Sequence, residues 1–378
     1  MESSFEITKD WLLNSGIFVS DSSDPNYGAV HSFYDEKSKE FAFLYPEITG
    51  YFASTMRFLY EHEKNEKYVN FAKASCNWLI DLYEKFGGII QGISIHGIPQ
   101  KLVYSFDTGM CAKGFLDCYI ITKEQKFLNY GQQLCNWLID ETMDSEGFVK
   151  PLKNLQSNKF EESPNVWYKQ SGCLHIKLAI PLLQLYQINN DKKLFDSAQQ
   201  ICDTISYYHN DDGSLRLHKN DKTINLHTLC YTLEGLLYAF VITKNTKYLE
   251  YCKNALQWCD SKISSDGSIE LWFNSKYHEK ASYPIAQIIR LRILISKIIG
   301  KSINQNQDLL INFLHSLHSR SNELTTNGGF YEEFYKSILG WKKRYKINSW
   351  GSMFGLQALY WHENYDNIDV TKEIELLY

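Results

Sequence analysis

Carboxylates, a histidine and several tyrosines recur at the same kind of position along this 378-residue chain, each just before or just inside an apolar segment. Tyr45-Pro46-Glu47 opens the first such segment. Glu47 has the chemistry of a general acid or base, and Tyr45 or Tyr51 can stack on a sugar ring. A carboxylate right after Pro46 is also favourable in the first turn of any helix, and that reading stays open. Asp107 opens the second segment as Phe106-Asp107-Thr108-Gly109, where an N-cap role competes with catalysis. His227, Tyr231 and Glu234 follow the spacing i, i+4, i+7, which puts three titratable groups on one helical face. Arg57 lies on an otherwise apolar segment and needs a buried partner, either a bound carboxylate or a structural ion pair. Trp167, Tyr168, Tyr283, Gln287, Trp350 and the Arg344-Tyr345 pair complete the candidates for holding a substrate. Arg344 offers a bidentate grip on a carboxylate.

Such groups support two kinds of chemistry. Proton exchange at C5 of a uronic acid needs an acid, a base and a cation that stabilises the enolate-like carboxylate. Glycoside hydrolysis needs two carboxyl groups flanking the bond, and Glu47, Asp107 and Glu234 offer them. A glycan-binding or assembly subunit without chemistry is the third reading. Isoprenoid chemistry ranks last, because no Asp-rich DxDD or DDxxD run is present.

The elements that must position these residues are repeats. Cys-Asn-Trp-Leu-Ile-Asp occurs at Cys76–Asp81 and at Cys135–Asp140 (135 − 76 = 59), and Thr-Gly occurs at Thr49-Gly50 and Thr108-Gly109 (108 − 49 = 59). Two matches at one offset signal a repeat architecture. Each unit has a small or polar opening, an apolar helix ending near a Tyr, a polar turn, an amphipathic helix and a Gly turn. The Gly turns are at Gly87-Gly88, Gly147, Gly213, Gly267 and Gly328-Gly329. The sixth unit has only its first helix, Ser349–Trp361, so the segment from Phe5 to Asn14 is expected to supply its partner and close the ring. Helices apolar on most faces belong inside, and helices with a polar face belong outside. The expected fold is therefore all-α, an (α/α)6 toroid of six helical hairpins in one domain spanning residues 1–378. Trp78 and Trp137 are expected at equivalent buried sites on outer helices.

Other classes lack support. A net charge of −5 gives no basic field for nucleic acid. Leu226–Thr243 is nearest to a membrane span, but it holds His227 and Glu234. The nine Cys include no CxxC pair, and the N-terminus has no signal-peptide pattern, so a reduced cytoplasmic protein without structural zinc is expected. No Walker A loop, GxGxxG, HExxH or GxSxG occurs, and no cofactor or metal is expected.

Tyr45–Tyr51, Phe106–Gly109 and His227–Leu237, with the repeat that carries them, resemble the six-hairpin toroids of sugar-processing enzymes. These include unsaturated glucuronyl hydrolases, N-acylglucosamine 2-epimerases and the helical domain of glucuronyl C5-epimerases. The resemblance is closest to toroid proteins of surface-polysaccharide biosynthesis and spans Trp11 to Trp361. It implies an enzyme acting on an acidic, uronic-acid-containing oligosaccharide or polysaccharide, of epimerase or lyase type, with a hydrolase as the alternative. Of the paired catalytic Asp of the glucuronyl hydrolases only Asp107 has a match. The Arg and His pattern of the 2-epimerases is not recognisable.

Overall fold

The computed structural model describes residues 3–164, 166–302 and 306–378. Among them are thirteen α-helices. These are α1 (Ser4–Asn14), α2 (Pro46–Glu63), α3 (Glu66–Phe86), α4 (Ser105–Thr122), α5 (Gln125–Trp137) and α6 (Ala179–Asn189). They continue with α7 (Lys192–Asp203), α8 (Leu226–Thr243), α9 (Thr246–Asp260), α10 (Ser282–Ile299), α11 (Asn306–Ser316), α12 (Ser349–Glu363) and α13 (Val370–Glu375).

The chain divides into two compact units. One holds Phe18–Ser32, Ala42–Ser206 and Tyr378; the other holds the chain to Ile17, Phe33–Phe41 and Tyr207–Leu377. The first contains the hairpins α2/α3, α4/α5 and α6/α7. The second contains α8/α9, α10/α11 and α12 paired with α1. The N-terminal helix is thus the partner of the sixth apolar helix, as the repeat count requires. Trp11 and Leu12 of α1 are fully buried.

Within each unit the even-numbered helices are nearly all buried and the odd-numbered ones are amphipathic, as their sequences dictate. α8 is long and apolar enough to cross a membrane by length and composition, yet most of it lies inside the protein. The buried helices run parallel, because their contacts keep register along their length. Gly50 meets Cys111 and Arg57 meets Asp117 between α2 and α4. Tyr283 meets Trp350 and Arg290 meets Gln357 between α10 and α12. Their N-termini therefore gather at one end of each unit.

The 59-residue offset has a physical cause. Thr49 and Thr108 each donate a hydroxyl to the carbonyl four residues back, Tyr45 O at 2.9 Å and Tyr104 O at 2.8 Å. The following glycines allow close helix contact: a Cβ on Gly50 would stand 2.8 Å from the Met110 carbonyl, and one on Gly109 only 2.1 Å from Leu178.

The turn glycines share a second job. Gly147, Gly213, Gly267 and Gly328 all have positive φ and press on the backbone of the next outer helix, at Gln200, Asn254, Leu309 and Ile7. At Gly267 a Cβ would lie 1.9 Å from Leu309 O, so no other residue fits. Gly87-Gly88 departs from the expected pattern. Gly87 is the left-handed C-cap of α3 with nothing within 4 Å, and Gly28 presses on α3 at Ala74 instead.

Two further departures are local. Pro181 has no N–H to bond the Lys177 carbonyl, so the third apolar helix begins as a 3₁₀ turn, Cys173–Leu178, before α6. The second copy of the hexapeptide leaves the α-helix at Trp137 for a π-helical turn, Leu138–Thr142. Trp78, in mid-helix, is buried, but Trp137 is only half-buried, beside Phe160 with ring centroids 6.4 Å apart. The equivalence expected of the two tryptophans therefore fails. Trp78→Ala is expected to cost about 3–5 kcal/mol and Trp137→Ala clearly less, read from urea denaturation midpoints. Equal losses would show that the π turn does not matter.

Candidate active site

In the first unit, Glu47 is the second residue of α2, behind Pro46, and Asp107 is the third residue of α4. The parallel packing of α2 on α4 brings both carboxyls into one buried space. Burial pushes Glu47 up to about 7, partly offset by a hydrogen bond from Tyr45 and by the Lys177 cation. Burial, and then the facing Glu47, hold Asp107 well above the usual carboxylate range. Two buried acids that feel each other's charge release their protons in linked steps, so one can serve as acid while the other is base. Asp107 does not cap its helix: the N-cap is Tyr104, and Asp107 Oδ2 is buried without a hydrogen-bond partner among the described residues.

Tyr104 was not singled out from sequence, although it follows Tyr45 at the same offset (104 − 45 = 59). Its buried hydroxyl also has no hydrogen-bond partner among the described residues. Native structures rarely leave such atoms unsatisfied, so Asp107 Oδ2 and Tyr104 OH are candidate contacts for a water or a polar ligand. Tyr168, exposed, lies 6.1 Å from the Tyr104 ring, with Trp167 edge-on to it at 5.5 Å. Tyr51 is not an open stacking platform. It is buried, with Lys177 4.9 Å from its ring and Tyr378 at 6.3 Å. Tyr104→Phe is expected to keep the melting temperature and weaken saccharide binding, measured by calorimetry on a bound oligosaccharide. A drop in melting temperature would mean that the hydroxyl is structural.

Arg57 lies deeper, with a structural partner. Its Nη1 donates to Asp117 Oδ1 at 2.7 Å, Gln184 donates to the same oxygen at 2.6 Å, and Lys113 donates to Oδ2 at 2.7 Å. Burial pushes Asp117 up, but the Lys113 and Arg57 cations outweigh it and hold the carboxyl below its ordinary value.

The second unit carries a different device. His227 Nδ1 donates to Gln287 Oε1 at 2.5 Å, and Gln287 Nε2 donates to Glu234 Oε1 at 3.1 Å. Arg290 Nη2 anchors the same Glu234 oxygen at 2.5 Å and its Nη1 donates to Gln357 at 2.7 Å. Glu234 therefore acts on His227 through Gln287. The chain of bonds fixes the ring orientation and keeps a proton on Nδ1. Tyr231 and Tyr283 enclose the imidazole at 4.1 and 4.5 Å, and Trp350 lies 5.9 Å from Tyr283. Sequence spacing found His227, Tyr231 and Glu234 but missed Arg290, which with Arg292 interrupts an otherwise apolar stretch, the kind of signal that Arg57 gives.

Arg344 does not offer an open guanidinium. Its Nε donates to Glu333 Oε1 at 2.7 Å and lies 3.7 Å from Glu332. Burial and the neighbouring Glu332 and Glu279 raise Glu333 to about 7 despite that pairing. Tyr345 is exposed in a separate surface cleft. Among the described residues no group of three or more His, Cys, Asp or Glu is arranged to hold a metal ion.

Solved structures with the same backbone arrangement cover nearly the whole chain. A cellobiose 2-epimerase from Bacillus thermoamylovorans matches with a TM-score of 0.75 and 14% identity, over 96% of this chain and 99% of its own. A D-mannose isomerase matches at 0.73 and 11%, over 94% and 95%. An unsaturated glucuronyl hydrolase from a Bacillus species matches at 0.68 and 13%, over 95% of each. The fold is the (α/α)6 toroid. No family model and no curated protein matches the sequence. At these identities the shared toroid fixes the backbone plan, and the chemistry has to be argued from this chain's own side chains.

Proposed function

We propose that this chain is a saccharide-processing enzyme that works by acid/base chemistry on a uronic-acid-containing glycan, of C5-epimerase or lyase type, within a single toroid domain. The observation that carries the reading is the buried Glu47–Asp107 pair, with Tyr45 and Lys177 beside it and two unsatisfied polar atoms at Asp107 and Tyr104. Proton exchange at a ring carbon needs an acid and a base poised near neutrality and a cation for the developing negative charge. The carboxyl pair supplies the first two and Lys177 the third. His227, oriented through Gln287, is a second candidate base. Sugar epimerases and an isomerase among the structures of like fold support the assignment. Nine buried cysteines, with no disulfide among the described residues, suit a reducing, cytoplasmic setting.

The same carboxyl pair favours one alternative, a hydrolase that protonates a glycosidic oxygen from one carboxyl while the other serves as base or nucleophile. Incubation with a uronic-acid polymer in deuterated water separates the two. Deuterium at C5 is the expected result, without chain shortening for an epimerase and with a new double bond for a lyase. New reducing ends without C5 exchange would establish the hydrolase. No change in any acidic or neutral glycan, with binding retained, would leave a glycan-binding subunit.

A further inference from the structure

In the second unit, strands Glu333–Ser337 and Gly340–Lys343 form a hairpin in which Ser337 pairs with Gly340. The two-residue loop is Ile338-Leu339. Loops of this length usually carry Asn, Asp or Gly. Here they present Ile338 at 105% and Leu339 at 84% exposure, the two most exposed large apolar side chains in the described structure. Trp341 and Tyr277, both exposed, stand just behind the tip. Tyr277 is held there by the neighbouring strand, where Lys336 N donates to His278 O at 3.0 Å.

Positive charge lies beside and behind the aromatics. Lys336, Lys342 and Lys276 are exposed. A cleft of about 170 Å³ at the base of the hairpin is lined by Lys37, Lys343, Arg344 and Lys346, with Tyr335 and Tyr345, against a single acid, Asp35. Arg344 is engaged by Glu333 and Glu332, but Lys37, Lys343 and Lys346 form no ion pair among the described residues. Tyrosine rings support two of these ammonium groups, Lys343 at 3.9 Å from Tyr331 and Lys37 at 5.2 Å from Tyr345. This concentration sits on a chain whose net charge is −5.

An apolar tip, an aromatic collar and a basic base match the layers of a bilayer surface: acyl chains, headgroup boundary and anionic phosphate. A second copy of the chain is a poor occupant, since two side chains fall far below the roughly 800 Å² per partner of a stable interface. We propose that the protein docks on an anionic lipid bilayer through this hairpin. Ile338 and Leu339 enter below the headgroups, and a lipid phosphate sits in the cleft of Lys37, Lys343 and Lys346.

The test is co-sedimentation of the full chain with vesicles of phosphatidylcholine alone or mixed with phosphatidylglycerol, at low and high salt. Binding is expected to the anionic vesicles only, and to weaken as salt rises. The double variant Ile338→Asp/Leu339→Asp should bind roughly tenfold or more weakly with an unchanged melting temperature. Lys37→Glu/Lys343→Glu/Lys346→Glu should lose a similar factor. Glycerol phosphate, the soluble headgroup, should displace the protein from vesicles only in large excess. The proposal is overturned by absent or variant-insensitive vesicle binding. It is equally overturned if glycerol phosphate binds tightly while vesicles do not, or if sedimentation shows a dimer that the Ile338→Asp/Leu339→Asp variant abolishes.

Discussion

Glu47→Gln is expected to cut turnover by about 10²- to 10⁴-fold and yet melt at a higher temperature than the parent at pH 8. Both effects come from one fact: the fold forces Glu47 into a buried space shared with Asp107. A carboxyl with an ordinary value of 4.5 that is pushed up to about 7 binds its proton more tightly folded than unfolded. Its neutral form therefore favours the native state. The associated stability is fully present below about pH 4.5 and is lost as pH rises through about 7. Above that, the charged parent carries a burden on the order of 1–3 kcal/mol that the neutral amide lacks. The gain in melting temperature of Glu47→Gln should therefore be small at pH 4.5, grow through neutrality and level off at pH 8. Turnover falls because Gln neither gives nor takes a proton. Asp107→Asn should behave likewise, and the double variant should lose little more activity than either single one, since the two act as a unit. Melting curves and initial rates from pH 4.5 to 8 check this. Lower stability at pH 8 with full specific activity would make Glu47 structural and move the chemistry away from the Glu47–Asp107 pair, leaving His227 as the candidate base.

What the sequence showed and what it hid follow one line. Features fixed by a single segment were legible. The apolar stretches became the buried helices, the 59-residue offset became a Thr hydroxyl bond and a Gly contact, and the missing sixth partner became α1. The stripe of His227, Tyr231 and Glu234 was legible because it lies on one helix. Features that depend on a neighbouring repeat were not. That Arg57 belongs to Asp117, and Glu234 to Arg290, is decided by helix register across residues 60 and 56 apart in sequence. Nothing in the hexapeptide distinguishes Trp78 from Trp137; the π turn beside the second begins inside the identical sequence, at Leu138, and runs past it to Thr142. Arg344 was read as a carboxylate-binding group, and it is one, but for Glu333 on the neighbouring strand. Tyr104 is the instructive omission: it precedes α4 as Tyr45 precedes α2, at the 59-residue offset, so the repeat itself pointed to it.

Asp117→Ala is expected to be the most destabilising single change in the first unit, costing about 3–5 kcal/mol, with little direct effect on the chemical step. Asp117 pairs with both Arg57 and Lys113, and all three side chains are buried. Removing it takes from the buried Arg57 and Lys113 the carboxylate that both donate to, and from Gln184 Nε2 the oxygen it donates to. An uncompensated buried charge is far more costly than the intact network is stabilising. The counterpart follows from the same reasoning: replacing Arg57, Lys113 and Asp117 together by Met, Met and Leu should recover most of the loss, because apolar side chains of similar volume need no partner. Urea denaturation gives both quantities, with an unchanged slope showing that the unfolded state is the same. The experiment also separates the two roles open to Arg57. If Arg57 held a substrate carboxylate, the triple variant would fold and raise KM sharply. If Arg57 serves Asp117 alone, the refolded triple variant keeps its KM, and the loss in Asp117→Ala is entirely one of stability. A parent-like midpoint for Asp117→Ala would overturn the network's structural role and return Arg57 to the substrate.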